Sequence, residues 1–400
     1  MAADQPALVE DPAVDGRVLT LETAQELADG GGLDRLLRSV SGQRLQGSAE
    51  PHQCHGAILR RDRTVSESDA SYPLPVPTSR LPAHLRSAYR ASGATPPFGD
   101  PRGAHGIEME GYYWRITDAR SGHVVVALCG VSRAPDGDWG ALALAGSADG
   151  FLRESIVPRA SAARSRLDVR AGSTFEATED RLTVDLAAAA RLSVRFHSLT
   201  PWPHRALGGL GAAQAVPGLG QYWHPHLLGA RVEGHAVLGD RTIDLNGATA
   251  YAEKNWGAAF PGSWWWGQAH GFDDPGVCVA FAGGVLERGP LKLAATSVVV
   301  HLAAGETLRL VPPLALVAVD TGASAWRVRA RSARHRVTIE GDSGGSEPHL
   351  LPVPIPAARR TVNRARQYLA GRMRVEVHTG RRLRYRGESL LAGLEAGDES

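Results

Sequence analysis

Two short stretches of this chain concentrate ionisable and aromatic side chains at spacings that could do acid–base work. The first is Tyr251-Ala252-Glu253-Lys254-Asn255-Trp256-Gly257. Read as a strand, it puts Tyr251, Glu253 and Asn255 on one face and Lys254 and Trp256 on the other. The second is Glu108-Met109-Glu110-Gly111-Tyr112-Tyr113-Trp114-Arg115, whose alternation gives Glu108, Glu110, Tyr112 and Trp114 a common face. A carboxyl closed in among aromatic rings holds its proton more tightly, because burial disfavours the anion. Glu253 and Glu110 are therefore candidate general acids near neutral pH. Lys254 is one of two lysines, with Lys292, among 44 basic residues. A compact ammonium kept in so arginine-rich a chain points to a place where a guanidinium does not fit, or to a buried ion pair.

Aromatic residues gather around the first stretch. Five of the nine Trp lie between residues 223 and 266: Trp223, Trp256, Trp264, Trp265 and Trp266, with Tyr222 just before them and Tyr251 among them. Strand alternation sets Trp264, Trp266, Gln268 and His270 on one face and Trp265 on the other. A barrel interior paved in this way suits a long apolar or aromatic ligand, and core packing is the plain alternative. His224-Pro225-His226, with His235 and His270, lacks a carboxylate at ligand spacing, so no metal centre is expected there, nor at His52-x-Cys54-His55. A GxSxG elbow, a P-loop and a GxGxxG before a helix are absent, which removes the main support for hydrolase-triad and nucleotide chemistry. No cofactor is implied.

The elements that must hold these residues read as β. The chain has 400 residues, 43% hydrophobic and 22% charged, with a net charge of +2. That is a soluble globular composition, and it does not describe a bulk nucleic-acid binder. Val124–Cys129, Leu192–Phe196, Val277–Phe281, Ser297–Leu302 and Thr307–Val311 read as strands, and the alternation around Thr379-Gly380 reads as a hairpin. So many short strands predict two β domains, over residues 96–258 and 259–400, built as sandwiches or barrels. Residues 1–95 differ and read as a partly helical or disordered extension, with a helical pattern over Thr20–Val40 broken at Gly30-Gly31-Gly32. The three cysteines are odd in number and form no CxxC, so neither a disulfide framework nor a thiolate zinc site is expected. No secretory leader is legible, and the apolar run Ala294–Ala304 is too short to span a bilayer. The expected location is cytoplasmic, or peripheral at a membrane. Fifteen Arg against four acids in residues 327–386 read first as a solvated strand face and second as a membrane-surface patch.

At these same residues the sequence resembles the tocopherol cyclase family. The segment Tyr251–Gly257, followed by Phe260-Pro261 and Trp264-x-Trp266, is similar to the family's Y-[AS]-E-K-N-W-G block. Gln221-Tyr222-Trp223-His224-Pro225 resembles its Q-Y-W block. His105-Gly106 and Glu110–Arg115 resemble its E-G-W-Y-F-R block, with Tyr112 and Trp114 standing where the family has Trp and Phe. The resemblance covers roughly residues 98–390 and implies two lipocalin-like antiparallel β-barrel domains. It implies closure of a chromanol ring on a prenylated benzoquinol or related isoprenoid, without metal or redox cofactor. Glu253 or Glu110 would be the acid, and Lys254 or Asn255 would orient the phenol or the acid. Tyr113, Arg115, Tyr222, Trp223, His224, Tyr251, Trp256, Trp264, Trp265 and Trp266 would bind the substrate. Hydration or isomerisation of a polyene is the second reading, and non-catalytic carriage of apolar lipids the third.

Overall fold

The computed structural model describes residues 83–397, apart from 98, 188, 204–206 and 289–290. The helical pattern over Thr20–Val40 and the His52–His55 cluster lie outside the described residues. A short helix, α1 (Ala83–Arg90), precedes the strands.

The first sheet contains β1 (Met109–Asp118), β2 (His123–Ser132), β3 (Trp139–Gly146), β4 (Leu152–Val157), β5 (Ser161–Ala162), β6 (Asp168–Ala171), β7 (Phe175–Thr178), β8 (Arg181–Asp185), β9 (Ala190–Pro201), β10 (Gln221–Leu238), β11 (Arg241–Asp244) and β12 (Thr249–Gly257). The second contains β13 (Trp264–Ala269), β14 (Cys278–Arg288), β15 (Leu291–His301), β16 (Thr307–Leu310), β17 (Ala315–Thr321), β18 (Ala325–Ser332), β19 (His335–Asp342), β20 (His349–Ile355), β21 (Arg360–Thr379) and β22 (Arg382–Gly397). The first sheet runs β4-β3-β2-β1-β12-β10-β9-β8-β7-β6-β5, with β11 on β10. The second runs β16-β15-β14-β13-β22-β21-β19-β18-β17, with β20 on β21. Each sheet is antiparallel and curls over its own apolar core, giving the mainly β, lipocalin-like architecture.

Burial along the strands shows which faces are covered. In β9 and β18 buried and exposed residues alternate, as expected where one face is wet. In β3 every residue is buried, and β1 is buried at nine of its ten positions, so both faces of these strands are covered. Tyr112, Trp114 and Ile116 of β1 enter the core of the first sheet, whereas Tyr113 joins a third apolar cluster with Trp223, Tyr251, Trp264 and Trp266. That cluster contains residues of both sheets. The two sheets therefore meet on their outward faces, with β1, β2, β3, β10 and β12 of the first and β13, β14, β15, β20, β21 and β22 of the second along the seam.

Arg115 ties the seam together. It is fully buried, and its guanidinium donates to Thr117 Oγ1 (2.8 Å), Gln268 Oε1 (3.1 Å), and the carbonyls of Leu369 (2.7 Å) and Leu391. Burial lowers its pKa to about 10. Arg115→Met would leave Gln268 Oε1 and the Leu369 and Leu391 carbonyls of the second sheet unpaired, and a lysine lacks the planar fork that reaches several of them at once. Both substitutions are expected to destabilise the fold by about 3 kcal/mol, read as a lower denaturation midpoint.

Candidate active site

A cavity of about 180 Å³ lies in the seam. It is not inside either curled sheet, which differs from the barrel-interior pocket that the tryptophan pattern predicts. The reason is the pleat. Odd-numbered residues of β1 and β12 face the second sheet, and even-numbered residues face the first sheet's own core. Met109, Gly111, Tyr113, Glu253 and Asn255 thus line the cavity from one side, with Gln221 and Trp223 of β10. Trp264 and Trp266 of β13, Gln367 of β21 and Glu395 of β22 line it from the other.

Glu253 is the polar centre of this cavity. Its Oε2 accepts three hydrogen bonds, from Tyr251 OH (2.6 Å), Trp223 Nε1 (2.8 Å) and Trp266 Nε1 (2.8 Å). Indole N–H groups only donate, so Oε2 is saturated and a proton on this carboxyl belongs on Oε1. Burial pushes the Glu253 pKa up to about 7. The three donors, which favour the anion, oppose the rise, and neighbouring Glu395 adds to it. At neutral pH this carboxyl is poised between acid and base.

The opposite side of the cavity carries a second polar chain. Tyr113 OH donates to Gln367 Oε1 (2.9 Å), and Gln367 Nε2 donates to Glu395 Oε2 (2.7 Å). Trp264 Nε1 donates to Glu395 Oε1 (2.6 Å). Burial raises the Glu395 pKa against those two donors. Two further polar atoms near the wall, Asn255 Oδ1 and Gln221 Oε1, are buried without a hydrogen-bond partner. Gly111 makes room for Asn255, because a Cβ at position 111 would stand 2.5 Å from Asn255 Oδ1.

Of the residues singled out in the sequence, Glu253, Asn255, Tyr113, Tyr222, Trp223, Trp264, Trp265 and Trp266 border the cavity. Tyr251 stands behind it, as a donor to Glu253. Trp265 turns towards the second sheet's core and donates to Thr296 Oγ1 (2.9 Å). Glu110, Lys254, Trp256, Arg115 and His224 do not border the cavity. Lys254 Nζ sits 2.7 Å from Glu110 Oε2, both buried, and also reaches the Gly103 carbonyl (2.9 Å) and His105 Nδ1 (3.0 Å). Trp256 is stacked between His105 and Tyr222. His224 Nδ1 accepts from the Gly209 N–H (3.2 Å) and lies edge-on to Trp202.

Glu110 departs from the expected proton donor. Burial alone would raise its pKa, but the Lys254 ammonium and the N–H groups of Gly106 and His105 pull it below the usual carboxylate value. The two carboxyls are thus shifted in opposite directions, Glu253 upwards and Glu110 downwards, because only Glu110 has a cation beside it. Sequence reasoning missed Glu395 and Gln367. Glu395 did carry a signal, a lone acid inside the apolar run Leu390–Ala396, whereas Gln367 between Arg366 and Tyr368 carried none. Among the described residues no cluster of three or more His, Cys, Asp or Glu is placed to hold a metal ion, and no helix is long and apolar enough to cross a membrane.

Known proteins share parts of this chain. The chloroplastic tocopherol cyclase of Zea mays is 26% identical over 160 residues, covering 38% of this chain and 33% of that protein. The probable chloroplastic tocopherol cyclase of Oryza sativa subsp. japonica is 27% identical over 135 residues, covering 32% and 28%. The chain thus spans about a third of the length of the curated relatives it matches. Among solved structures, CghA is similar in fold with a TM-score of 0.50 at 12% identity, over 73% of this chain and 89% of that one. The family model described as tocopherol cyclase-like matches residues 210–398, which contain Glu253, the Trp264–Trp266 wall, Gln367 and Glu395. Over residues 210–398 the chain is similar to the tocopherol cyclase-like family.

Proposed function

We propose that the protein is an isoprenoid-acting enzyme that closes an oxygen ring on a prenylated hydroquinone. The observation that supports this reading best is Glu253, a carboxyl of raised pKa whose proton-bearing oxygen is left free in a tryptophan-walled cavity.

The chemistry follows from that carboxyl. Glu253 gives its proton to the less substituted carbon of the first prenyl double bond, leaving a tertiary carbocation. Oε2, held by three donors, takes up the negative charge as the O–H bond breaks. The rings of Trp223, Trp264 and Trp266 offer their negative faces to the cation, and their bulk keeps water from capturing it. The neighbouring phenol oxygen attacks the cation, a C–O bond forms, and the phenol loses its proton. The product has the mass of the substrate. Asn255 and Gln221, which line the cavity, would orient the hydroquinone oxygens, whereas Lys254 does not line it.

The cavity volume limits what is held. An apolar cavity of about 150 Å³ accepts a benzene-sized molecule, so a cavity of about 180 Å³ is of the size of the reacting ring. Shortening the prenyl tail from four isoprene units to two is expected to change kcat less than tenfold, with the larger effect on KM.

The direct test is incubation with phytyl- or geranylgeranyl-benzoquinol in detergent micelles, followed by chiral chromatography and mass spectrometry. A chromanol of one hand and unchanged mass is the expected product. A product heavier by one water would make the enzyme a hydratase. Tight binding with no product would make it a carrier.

A further inference from the structure

Glu395 lies 142 residues beyond Glu253 in sequence and reaches the same cavity from the other sheet. Trp266 neighbours both residues. Trp266 is the cross-strand partner of Glu395 in β13–β22, and its Nε1 donates to Glu253. A reacting centre in the cavity beside Trp266 would have both carboxylates in its wall. Cyclisation can use two such groups, since one proton must arrive at an alkene carbon and another must leave a phenol oxygen.

Resting on the cyclase reading, we propose that Glu395 is a second catalytic residue, the base that removes the phenol proton while Glu253 supplies the alkene proton. The balance closes. The Glu253 O–H bond breaks and a C–H bond forms from the alkene electron pair. A phenol oxygen lone pair then makes the C–O bond, the phenol O–H bond breaks, and its proton forms an O–H bond on the Glu395 carboxylate. The substrate is isomerised and one proton has moved from Glu253 to Glu395. Exchange with water, after product leaves, restores the starting state.

The surroundings of Glu395 fit this role. Each of its oxygens accepts one neutral donor, Trp264 Nε1 or Gln367 Nε2. No ion pair to it is present among the described residues, so no permanent cation suppresses its basicity. Burial strengthens it as a proton acceptor. The chain from Glu395 through Gln367 also orients Tyr113 as a donor. This leaves the Tyr113 oxygen free to accept from a substrate hydroxyl and aim it at the base.

The test separates the two proton transfers. Wild type, Glu395→Gln and Glu253→Gln are incubated with geranylgeranyl-benzoquinol in D2O, and both chromanol formation and deuterium entry into recovered substrate are measured. If Glu395 is the base, Glu395→Gln loses chromanol at least 100-fold yet still protonates the alkene, so recovered substrate carries deuterium in its prenyl chain. Glu253→Gln shows neither. Retained deuteration also shows that the Glu395→Gln site is folded. Three results would overturn the proposal: cyclisation by Glu395→Gln at the wild-type rate, equal loss of deuteration and cyclisation in Glu395→Gln, or no recovery of cyclisation in Glu395→Asp. A wild type that neither cyclises nor deuterates this lipid would overturn the cyclase reading itself, and the base with it.

Discussion

Glu253→Gln is expected to lose turnover by about 10³-fold and, at the same time, to stabilise the protein at pH 8. Glutamine fits the site almost without rearrangement. Its carbonyl can take the place of Oε2 and accept from Tyr251, Trp223 and Trp266, while its amide group occupies the position of Oε1. The acidic proton is lost and little else changes. The stability effect follows from linkage. The Glu253 pKa is about 7 in the folded protein against an ordinary value of 4.5. Below pH 4.5 the carboxyl is protonated both folded and unfolded, and its contribution to stability is fully present. As pH rises from 4.5 to about 7, the unfolded chain releases the proton while the folded protein keeps it, so stability falls. Above 7 the contribution is gone, and the loss is about 3 kcal/mol at about 1.4 kcal/mol per pH unit. Glutamine has no such proton. Denaturant unfolding should therefore find the variant equal to wild type near pH 4 and more stable by a few kcal/mol at pH 8. The same titration makes wild-type turnover fall as pH passes through 7. A Glu253→Gln protein that still cyclises would take Glu253 out of the mechanism.

Glu110→Gln is expected to do the reverse: to lower stability severely and spare the chemistry of whatever remains folded. The Glu110–Lys254 pair is buried at 2.7 Å, and its other hydrogen bonds include the backbone of Gly103, His105 and Gly106, the His105 ring and the Tyr112 hydroxyl. These contacts pin residues 103–106 to β1 and β12. An ammonium only donates, so His105 Nδ1 must accept from Lys254, and Nε2 carries the ring proton towards Thr95 Oγ1 (2.8 Å). Burial holds His105 neutral. Removing Glu110 strands a buried cation, at a cost of roughly 3–5 kcal/mol. Lys254 can soften the loss by releasing its proton, because burial has already brought its pKa down to about 8. Glu110→Gln with Lys254→Met removes both charges and should recover much of the stability. Thermal unfolding, together with kcat corrected for the folded fraction, separates the outcomes. A Glu110→Gln enzyme that is stable but inactive would place the ion pair in the chemistry.

These two glutamates show how far the sequence reaches. Alternation in Tyr251–Gly257 assigns Glu253 and Asn255 to one face and Lys254 and Trp256 to the other, and the structure has them so. Side-chain alternation is a property of the extended backbone and needs no knowledge of what lies beyond it. The mainly β architecture was legible on the same ground, from β-branched runs and turn residues, although β10, β21 and β22 run to 18, 20 and 16 residues rather than being short. The different fates of the two carboxyls were not. Each sits among aromatic rings in the sequence, and only the β1–β12 register, with Tyr112 opposite Lys254, brings a cation to Glu110 and none to Glu253.

By itself, then, the sequence determined which residues share a strand face and that an acidic, aromatic-rich segment lies at the centre of a β protein. Only the tertiary structure decided where the cavity lies and what completes it. The outward faces of two curled sheets pack together, which buries both faces of β1 and β12 and opens the cavity at the seam. The same packing brings Glu395 and Gln367 to a carboxyl more than a hundred residues away. A strand's own pattern reports that a face is covered. It carries no record of the partner, because apolar burial is not directional and any sheet of complementary shape would satisfy it.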